Sequence, residues 1–295
     1  MFTPLETKSR PPLGWGTMVW PPLAKAIDRI FLTGFKRKRL VIITVVSVAL
    51  VGTVIFVRQL YVLPILMYHS IPQSVASGNA LTVSVNTFQK QMAFLKKNHI
   101  NVLALDSLGA YLDGRNKIPG KAVVLTFDDG YKDNYTYAFP ILKKYKFPAT
   151  IFIIVSEVGR PDRLSWEEIR EMQDSGLVTF GSHTLTHPYL ESIQSAEELK
   201  REISGAKQVL QERLGKSVNA FSYPMGRFNP LVVQTVKDAG YTVAVVTNPG
   251  RRFPNQDKFI LKRLRISQNA ENMFVFWIES SGYYNLIREI RQRKK

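Results

Sequence analysis

The sequence predicts an α/β fold with a parallel sheet, preceded by one membrane-crossing helix. Three observations lead to that reading. Short, almost wholly apolar runs, such as residues 123–127 and 149–155, recur along the chain. Runs without polar alternation suit strands buried on both faces. Between them lie stretches with helical spacing, and a regular strand–helix alternation suits βαβ units. Finally, residues 40–57 are eighteen residues without a charge, preceded by Lys36-Arg37-Lys38-Arg39.

Taken in order, residues 1–39 read as a basic, non-globular tail, because Pro4, Pro11, Pro12, Pro21 and Pro22 interrupt any long helix. Residues 40–57 as a helix span about 27 Å, close to the thickness of a bilayer core. The basic cluster precedes this run and only Arg58 directly follows it. The positive-inside rule then places the N-terminus in the cytoplasm and the large domain outside, in a single-pass protein of the cell membrane. No small-residue cleavage motif stands near Val57, which favours an uncleaved signal-anchor over a signal peptide. Residues 58–63 are a linker.

The domain occupies residues 64–281. A first strand covers residues 65–71 and ends near His69. A small-residue loop, residues 74–80, leads to a helix over 87–98 with Phe88, Met92 and Leu95 on one stripe. A strand at 100–105 and a short helix from Asp106 precede the strand at 123–127. Residues 134–145 form a helix interrupted at Pro140, followed by the strand at 149–155. Ser165-Trp166-Glu167-Glu168 is a capping box that opens a helix to Asp174, and a strand follows at 177–181. Ser195-Ala196-Glu197-Glu198 opens a longer helix striped by Leu199, Ile203, Ala206, Leu210 and Leu214, which Gly215 stops. A strand at 218–223 precedes Asn229-Pro230, an N-cap and first-turn proline for a helix to Ala239. Strands at 241–246 and 259–266 flank a polar loop, residues 248–258. A last apolar helix covers 269–279, with Trp277 expected in the core. Residues 282–295 are a basic tail.

The chain has 40 basic and 23 acidic residues, a net charge of +17. Much of the excess sits in the two tails, where it suits an anionic membrane surface. No zinc-finger spacing and no aromatic-basic RNA motif is present, so no nucleic-acid partner is expected. The absence of cysteine excludes disulfides.

Two motifs carry chemistry. Val123-Val124-Leu125-Thr126-Phe127 ends in Asp128-Asp129-Gly130, two carboxylates at the C-terminal end of a buried strand, where α/β folds place their sites. Neighbours on an extended backbone point to opposite sides, so a metal ligand beside a free base is the natural division of labour. Ser182-His183-Thr184-Leu185-Thr186-His187-Pro188 holds two of the four histidines. The β-branched threonines and Pro188 place the pair on a loop, with His187 pushed out of the α region. A hydrolytic zinc site takes three nitrogen or oxygen ligands and keeps one position open. His183, His187 and Asp129 supply three. The histidine spacer holds no carboxylate, so Asp128 is the base. A lone Asp-Asp-Gly is more often an exposed turn, and a lone pair of spaced histidines is more often accidental. It is their combination that points to a metal-dependent hydrolase.

Thr-Phe-Asp-Asp-Gly followed by His-Thr-x-x-His-Pro resembles the polysaccharide deacetylases, the NodB homology domain of carbohydrate esterase family 4, over roughly residues 64–281. The resemblance implies a distorted (β/α) barrel of fewer than eight full units. It implies Asp128 as base, and Asp129, His183 and His187 as ligands of a divalent metal, usually zinc. The family's third motif matches Phe221-Ser222-Tyr223-Pro224-Met225-Gly226-Arg227. Ser222 stands where the family has the Arg that orients the catalytic Asp, which leaves Arg227 as the nearby substitute. The backbone N–H of Met225 falls at the family's oxyanion contact. The last motif, residues 261–266, lacks the family's acid histidine. Met67-Tyr68-His69 and Tyr-Pro-x-Gly are similar to the branch that deacetylates poly-β-1,6-N-acetylglucosamine, in which an N-terminal His takes the acid role, here His69. His99 is read as a solvated helix-end residue. Tyr131, Trp166 and Tyr223 flank the motifs and are expected to stack on sugar rings. The implied activity is metal-dependent N-deacetylation of an N-acetylglucosamine-containing polymer. O-acetyl ester hydrolysis, peptidoglycan deacetylation and non-catalytic polysaccharide binding are the alternatives.

Overall fold

The computed structural model describes residues 21–75, 81–115, 117–247 and 257–284, with side chains from residue 38 onward. The chain forms two compact units, Met1–Gln59 and Leu60–Lys295.

In the first unit a single helix, α1, covers Pro21–Gln59. It includes residues 21–39, where an irregular tail was expected. Pro21 and Pro22 sit in its first turn, where the missing N–H groups have no intrahelical partner to lose. Its segment Lys38–Gln59 is long and apolar enough to cross a membrane, with a mean hydropathy of 2.9 over its most apolar window. Residues 1–20, and with them Pro4, Pro11 and Pro12, lie outside the described residues.

The second unit is a nearly closed parallel barrel wrapped by helices. Its strands are β1 (Ile65–Tyr68), β2 (Asn101–Leu103), β3 (Ala122–Phe127), β4 (Ala149–Ile153), β5 (Val178–Ser182), β6 (Ala220–Ser222) and β7 (Val243–Val246), then β8 (Leu261–Lys262) and β9 (Leu264–Arg265). The order around the barrel is β8-β7-β6-β5-β4-β3-β1-β9, with β2 beside β3. All pairs are parallel. β1, β3 and β4 are buried along their whole length, as runs without polar alternation require.

The expected last strand, 259–266, is divided. β8 pairs with β7 and β9 pairs with β1, so one extended segment closes the barrel by passing from one edge to the other. Arg263 lies at the crossing. Closing a sheet needs tilted, staggered strands, and this segment meets each edge strand for only two residues.

The side-chain period of two sorts the barrel into two apolar layers. Leu66, Tyr68, Leu125, Phe127, Ile151, Ile153 and Phe221 belong to the larger cluster, shared with the helices. Ile65, Val124, Phe152, Ala220, Val245 and Leu261 form the second cluster, with Leu105 and Leu108. On β3 the second set continues as Val124, Thr126, Asp128. The barrel is thus apolar at its N-terminal end and polar where the strands finish.

Several helices differ from expectation in detail. The expected helix over 134–145 is present and is interrupted at Pro140 as predicted: a wide turn at Asn134–Ala138 runs directly into Phe139–Tyr145, whose first turn holds the proline. The helix Trp166–Asp174 has the full reciprocal box between Ser165 and Glu168. At Ser195 only half forms, the Ser195 hydroxyl accepting from the Glu198 N–H. The helix it opens runs through a wide turn at Arg201–Gly205 into Ala206–Leu214, and Gly215 ends it in the left-handed conformation. The terminal helix covers Met273–Ser280, and Trp277, expected in the core, is 49% exposed. The predicted 248–258 loop falls largely outside the described residues.

Candidate metal-dependent active site

Asp128 and Asp129 leave the end of β3 in different directions. Asp128 is buried, its backbone N–H donating to the Tyr68 carbonyl at 3.0 Å, which continues the β1–β3 ladder one residue past the strand. Asp129 turns away, with φ at 69°. Gly130 follows at φ 63°, and a Cβ there would meet Ile153 Cδ1 at 2.8 Å. The Asp-Asp-Gly turn therefore needs its glycine for backbone conformation and for space.

The second motif leaves β5 on an irregular loop, as its residues predicted. His183 is buried and donates Nδ1–H to the Ser222 carbonyl at 2.8 Å. That bond orients the ring and leaves the Nε2 lone pair free. Thr184 and His187 both take left-handed φ, 67° and 63°. His187 is outside the right-handed α region, as a residue before proline should be, but in the left-handed region rather than an extended one. Its N–H donates to Thr184 Oγ1 at 2.9 Å. The loop is held from below by Glu202, a buried carboxylate that accepts from the N–H groups of Leu185 and Thr186 and from the Thr186 hydroxyl, at 2.8–3.0 Å. Glu202 was not singled out from sequence. Its signal was a carboxylate three residues from Leu199 and beside Ile203, within the apolar stripe of a helix.

Asp129, His183 and His187 converge. The Nε2 atoms of the two histidines are 3.2 Å apart. Asp129 Oδ1 lies 3.5 Å from His183 Nε2 and 3.9 Å from His187 Nε2. Ligands about 2.0–2.2 Å from one ion in tetrahedral array lie roughly 3.3–3.6 Å from each other. The donor set and its spacing thus fit one divalent cation, and this is the group among the described residues that could hold one. Burial lowers the pKa of both imidazoles, His183 to about 3, so both present lone pairs at neutral pH. Burial, and the neighbouring Asp128, raise Asp129 to about 6 in the absence of an ion.

Asp128 has a different environment. Burial works against its charge, but the Arg263 guanidinium outweighs that and holds the carboxyl well below the usual carboxylate range. Arg263 makes a bidentate contact, Nη1 to Oδ1 at 2.7 Å and Nη2 to Oδ2 at 2.6 Å. Nη2 also donates to Ser222 Oγ at 2.9 Å, and Nη1 to Thr126 Oγ1 at 3.3 Å. The orienting arginine therefore comes from the barrel-closing segment. Ser222 does not leave a gap, because its hydroxyl receives that arginine. Arg227, expected to substitute, is on the surface, its side chain 61% exposed and paired with Glu191 at 3.0 Å. Arg263 was legible as a basic residue at the inward parity of a strand whose neighbours Leu261 and Leu264 are buried.

His69 lies one residue past β1, level with Asp128. It is buried, its Nδ1 has no hydrogen-bond partner, and its carbonyl accepts from the buried Asn134 amide at 2.8 Å. Burial lowers its pKa, while the charges of Asp128 and Asp129 oppose that shift. His99 is an exposed, left-handed residue after the second helix, as expected.

The predicted sugar-stacking residues fare unevenly. Tyr223 is completely buried between Phe221 and Phe228, so its ring offers no face to a ligand. Trp166 packs against the core with the Arg213 guanidinium over its ring. Both positions answer to core packing rather than to a groove. Tyr131 stays partly exposed beside Asp129, with Arg163 over its ring at 4.1 Å. Met225 projects from the turn after β6, 55% exposed at φ 55°. The exposed aromatic on the metal-motif loop is Tyr189, two residues past His187 and 50% exposed, with Arg227 lying over its ring.

A family model for polysaccharide deacetylases matches residues 115–244. The chain is 35% identical over 219 residues to YxkH of Bacillus subtilis (strain 168), assigned by name to the polysaccharide deacetylases, spanning 74% of this chain and 76% of that one. It is 30% identical over 209 residues to the poly-β-1,6-N-acetyl-D-glucosamine N-deacetylase of Staphylococcus aureus (strain N315), spanning 66% and 72% of the two chains. Among solved structures, the deacetylase PplD of Streptococcus pyogenes in complex with acetate is similar with a TM-score of 0.66 and 32% identity, over 72% of this chain and 97% of that one. IcaB from Ammonifex degensii is similar with a TM-score of 0.66 and 28% identity, over 76% and 97%. The chain belongs to the polysaccharide deacetylase family. It is a hydrolase of the NodB type.

Proposed function

We propose that the protein is a membrane-anchored N-deacetylase that removes acetyl groups from a poly-N-acetylglucosamine chain outside the cytoplasmic membrane, with Zn²⁺ held by Asp129, His183 and His187. The observation that supports this most is the contrast between adjacent carboxylates. Asp128 is locked anionic by Arg263, and Asp129 faces two neutral imidazoles. A divalent cation in that site would polarise the acetyl carbonyl and lower the pKa of a bound water. Asp128 takes the proton of the attacking water, using lone pairs that the arginine fork leaves free. The Met225 N–H, presented by a left-handed turn, supports the oxyanion. His69 protonates the nitrogen as the C–N bond breaks, giving acetate and a free amine. Tyr189, Met225 and Tyr131 supply exposed surface for the neighbouring sugars, in place of Tyr223 and Trp166.

A third motif without the family's arginine would favour a non-catalytic binding module, but Arg263 makes a bidentate contact to Asp128 from the barrel-closing segment. The polymer is assigned on the similarity to the S. aureus enzyme and on the Met67-Tyr68-His69 motif. The test is acetate release by the full-length protein in detergent, with and without Zn²⁺, from β-1,6-linked N-acetylglucosamine oligomers, peptidoglycan fragments and O-acetylated glycans. Zinc-dependent release from the first substrate is expected. Release only from one of the other two reassigns the substrate, and none from any supports the binding module.

A further inference from the structure

The helix Met273–Ser280 has an aromatic face that the rest of the domain leaves uncovered among the described residues. Phe276 is buried and meets Phe94 at 5.9 Å. On the other side Phe274 and Trp277 are 62% and 49% exposed, and their rings pack on each other at 5.5 Å. Beside them runs a groove of about 330 Å³, lined among others by Tyr61, Phe94, Ile100, Lys121, Trp277 and Tyr283. Two adjacent exposed aromatics bordering a groove mark an interaction surface rather than scattered surface residues.

Where the chain arrives identifies the partner. α1 ends at Gln59, and Tyr61 is already built into this groove. The Tyr61 hydroxyl donates to the Ala122 carbonyl at 3.1 Å and accepts from the Ala122 N–H at 3.2 Å. The Val62 N–H donates to the Gly282 carbonyl at 2.9 Å, and Tyr61 packs edge-on to Tyr283 at 5.8 Å. Gly282 has φ 81°, and a Cβ there would lie 2.3 Å from the Tyr61 ring. The first and last described segments of the domain are therefore tied together within two residues of a helix apolar enough to cross a bilayer. Lys96, Lys97 and Lys121 are exposed on the same elements. The sequence after Tyr284 adds Arg288, Arg291, Arg293, Lys294 and Lys295 without compensation beyond Glu289. Tryptophan, tyrosine and phenylalanine beside lysine is the composition that settles at the boundary between lipid headgroups and acyl chains.

We infer that this face docks on the surface of the anionic bilayer that α1 crosses, with Phe274 and Trp277 in the interface and the lysines at lipid phosphates. The inference rests on the proposed single-pass anchoring. Ala122 opens β3 and Asp128 follows its end, about 20 Å further along at the rise of an extended strand. Docking at the Ala122 end holds the active site away from the lipid, towards polymer in the surrounding medium.

The native chain has no cysteine, so single spin labels are placed cleanly. Phe274→Cys, Leu231→Cys and Val48→Cys are labelled separately in the full-length protein, in vesicles of phosphatidylcholine and phosphatidylglycerol. Immersion depth is read from relaxation by oxygen and by a soluble nickel chelate. The label at 274 is expected at interfacial depth, that at 231 in water and that at 48 deep in the bilayer. Deep 48 with aqueous 274 overturns the docking and leaves the anchor intact. Equal depths at 274 and 231 overturn its specificity for this face. Aqueous 48 overturns the anchored reading and the docking with it.

Discussion

The two ends of β3 differ more than any other pair of regions in this domain. At Ala122 the strand begins among apolar side chains, and its backbone is closed off by the Tyr61 hydroxyl. At Asp128 it finishes among two carboxylates, three histidines and a buried arginine. Six non-glycine residues have left-handed φ among the described residues, and four of them, Asp129, Thr184, His187 and Met225, belong to the site motifs. Each costs on the order of 1 kcal/mol or more and persists only where surrounding bonds enforce it. On the histidine loop Glu202 holds the residues between Thr184 and His187, and Thr184 Oγ1 accepts from the His187 N–H. The apolar end supplies stability that offsets the backbone strain held at the polar end.

The largest expected effects separate the adjacent carboxylates. Asp129→Ala removes a proposed ligand and should lose both bound metal and acetate release. Asp128→Asn should keep stoichiometric metal while kcat falls about 10²–10⁴-fold. Metal analysis beside kinetics checks the pair, and metal loss in both would end the division of labour.

The metal site should also depend on pH. In the metal-free protein Asp129 carries a pKa near 6. A proton and a cation compete for its carboxylate, so affinity falls as pH drops below that value, by up to about tenfold per unit. Metal titration at several pH values reads this slope, and an affinity flat between neutral pH and pH 5 would count against Asp129 as a ligand.

Arg263→Lys tests the clamp. Lysine keeps the charge and loses the bidentate fork. Asp128 then moves back towards the ordinary carboxylate range. With Asp128 as the proposed base, its anion is the active form, so activity is lost at a higher pH on acidification, and the acidic limb of kcat/KM shifts upward. A rate loss of roughly tenfold should accompany it. An unchanged limb would mean that Arg263 is structural only.

The smallest effect on chemistry is expected at the other end. Gly282→Ala forces a Cβ against Tyr61 from a left-handed backbone, at a cost of about 1–3 kcal/mol. Thermal unfolding should move down by several degrees while kcat/KM on a soluble acetylated oligosaccharide is unchanged below the transition. A matching loss of activity would show that the two ends are coupled.

Much of this was legible in the residues. The buried parallel strands, the loop carrying His183 and His187, and the opposed directions of Asp128 and Asp129 follow from periodicity, β-branching and the alternation of an extended chain. The first helix starts at Pro21 because a proline in a first turn has no intrahelical N–H bond to lose, so position decides whether a proline breaks a helix or opens one. Trp277 was placed in the core because its helix is apolar on nearly every side, and composition cannot say which face the barrel covers. Tyr223 and Trp166 were given to the substrate for being aromatic near a motif.

Local patterning was enough for the strands as far as β7, for most helix caps, for the apolar span and for the pairing of two carboxylates with two histidines. These depend on neighbours within a few residues, where chain geometry leaves little choice. The tertiary structure alone decided that Arg263 meets Asp128, 135 residues away, and that Glu202 underpins the histidine loop. It also decided that the chain's entry to and exit from the domain share one aromatic edge. The first of these contacts exists because the segment after β7 leaves one edge of the sheet for the other. Local spacing carries no record of which strands a closing barrel will bring together.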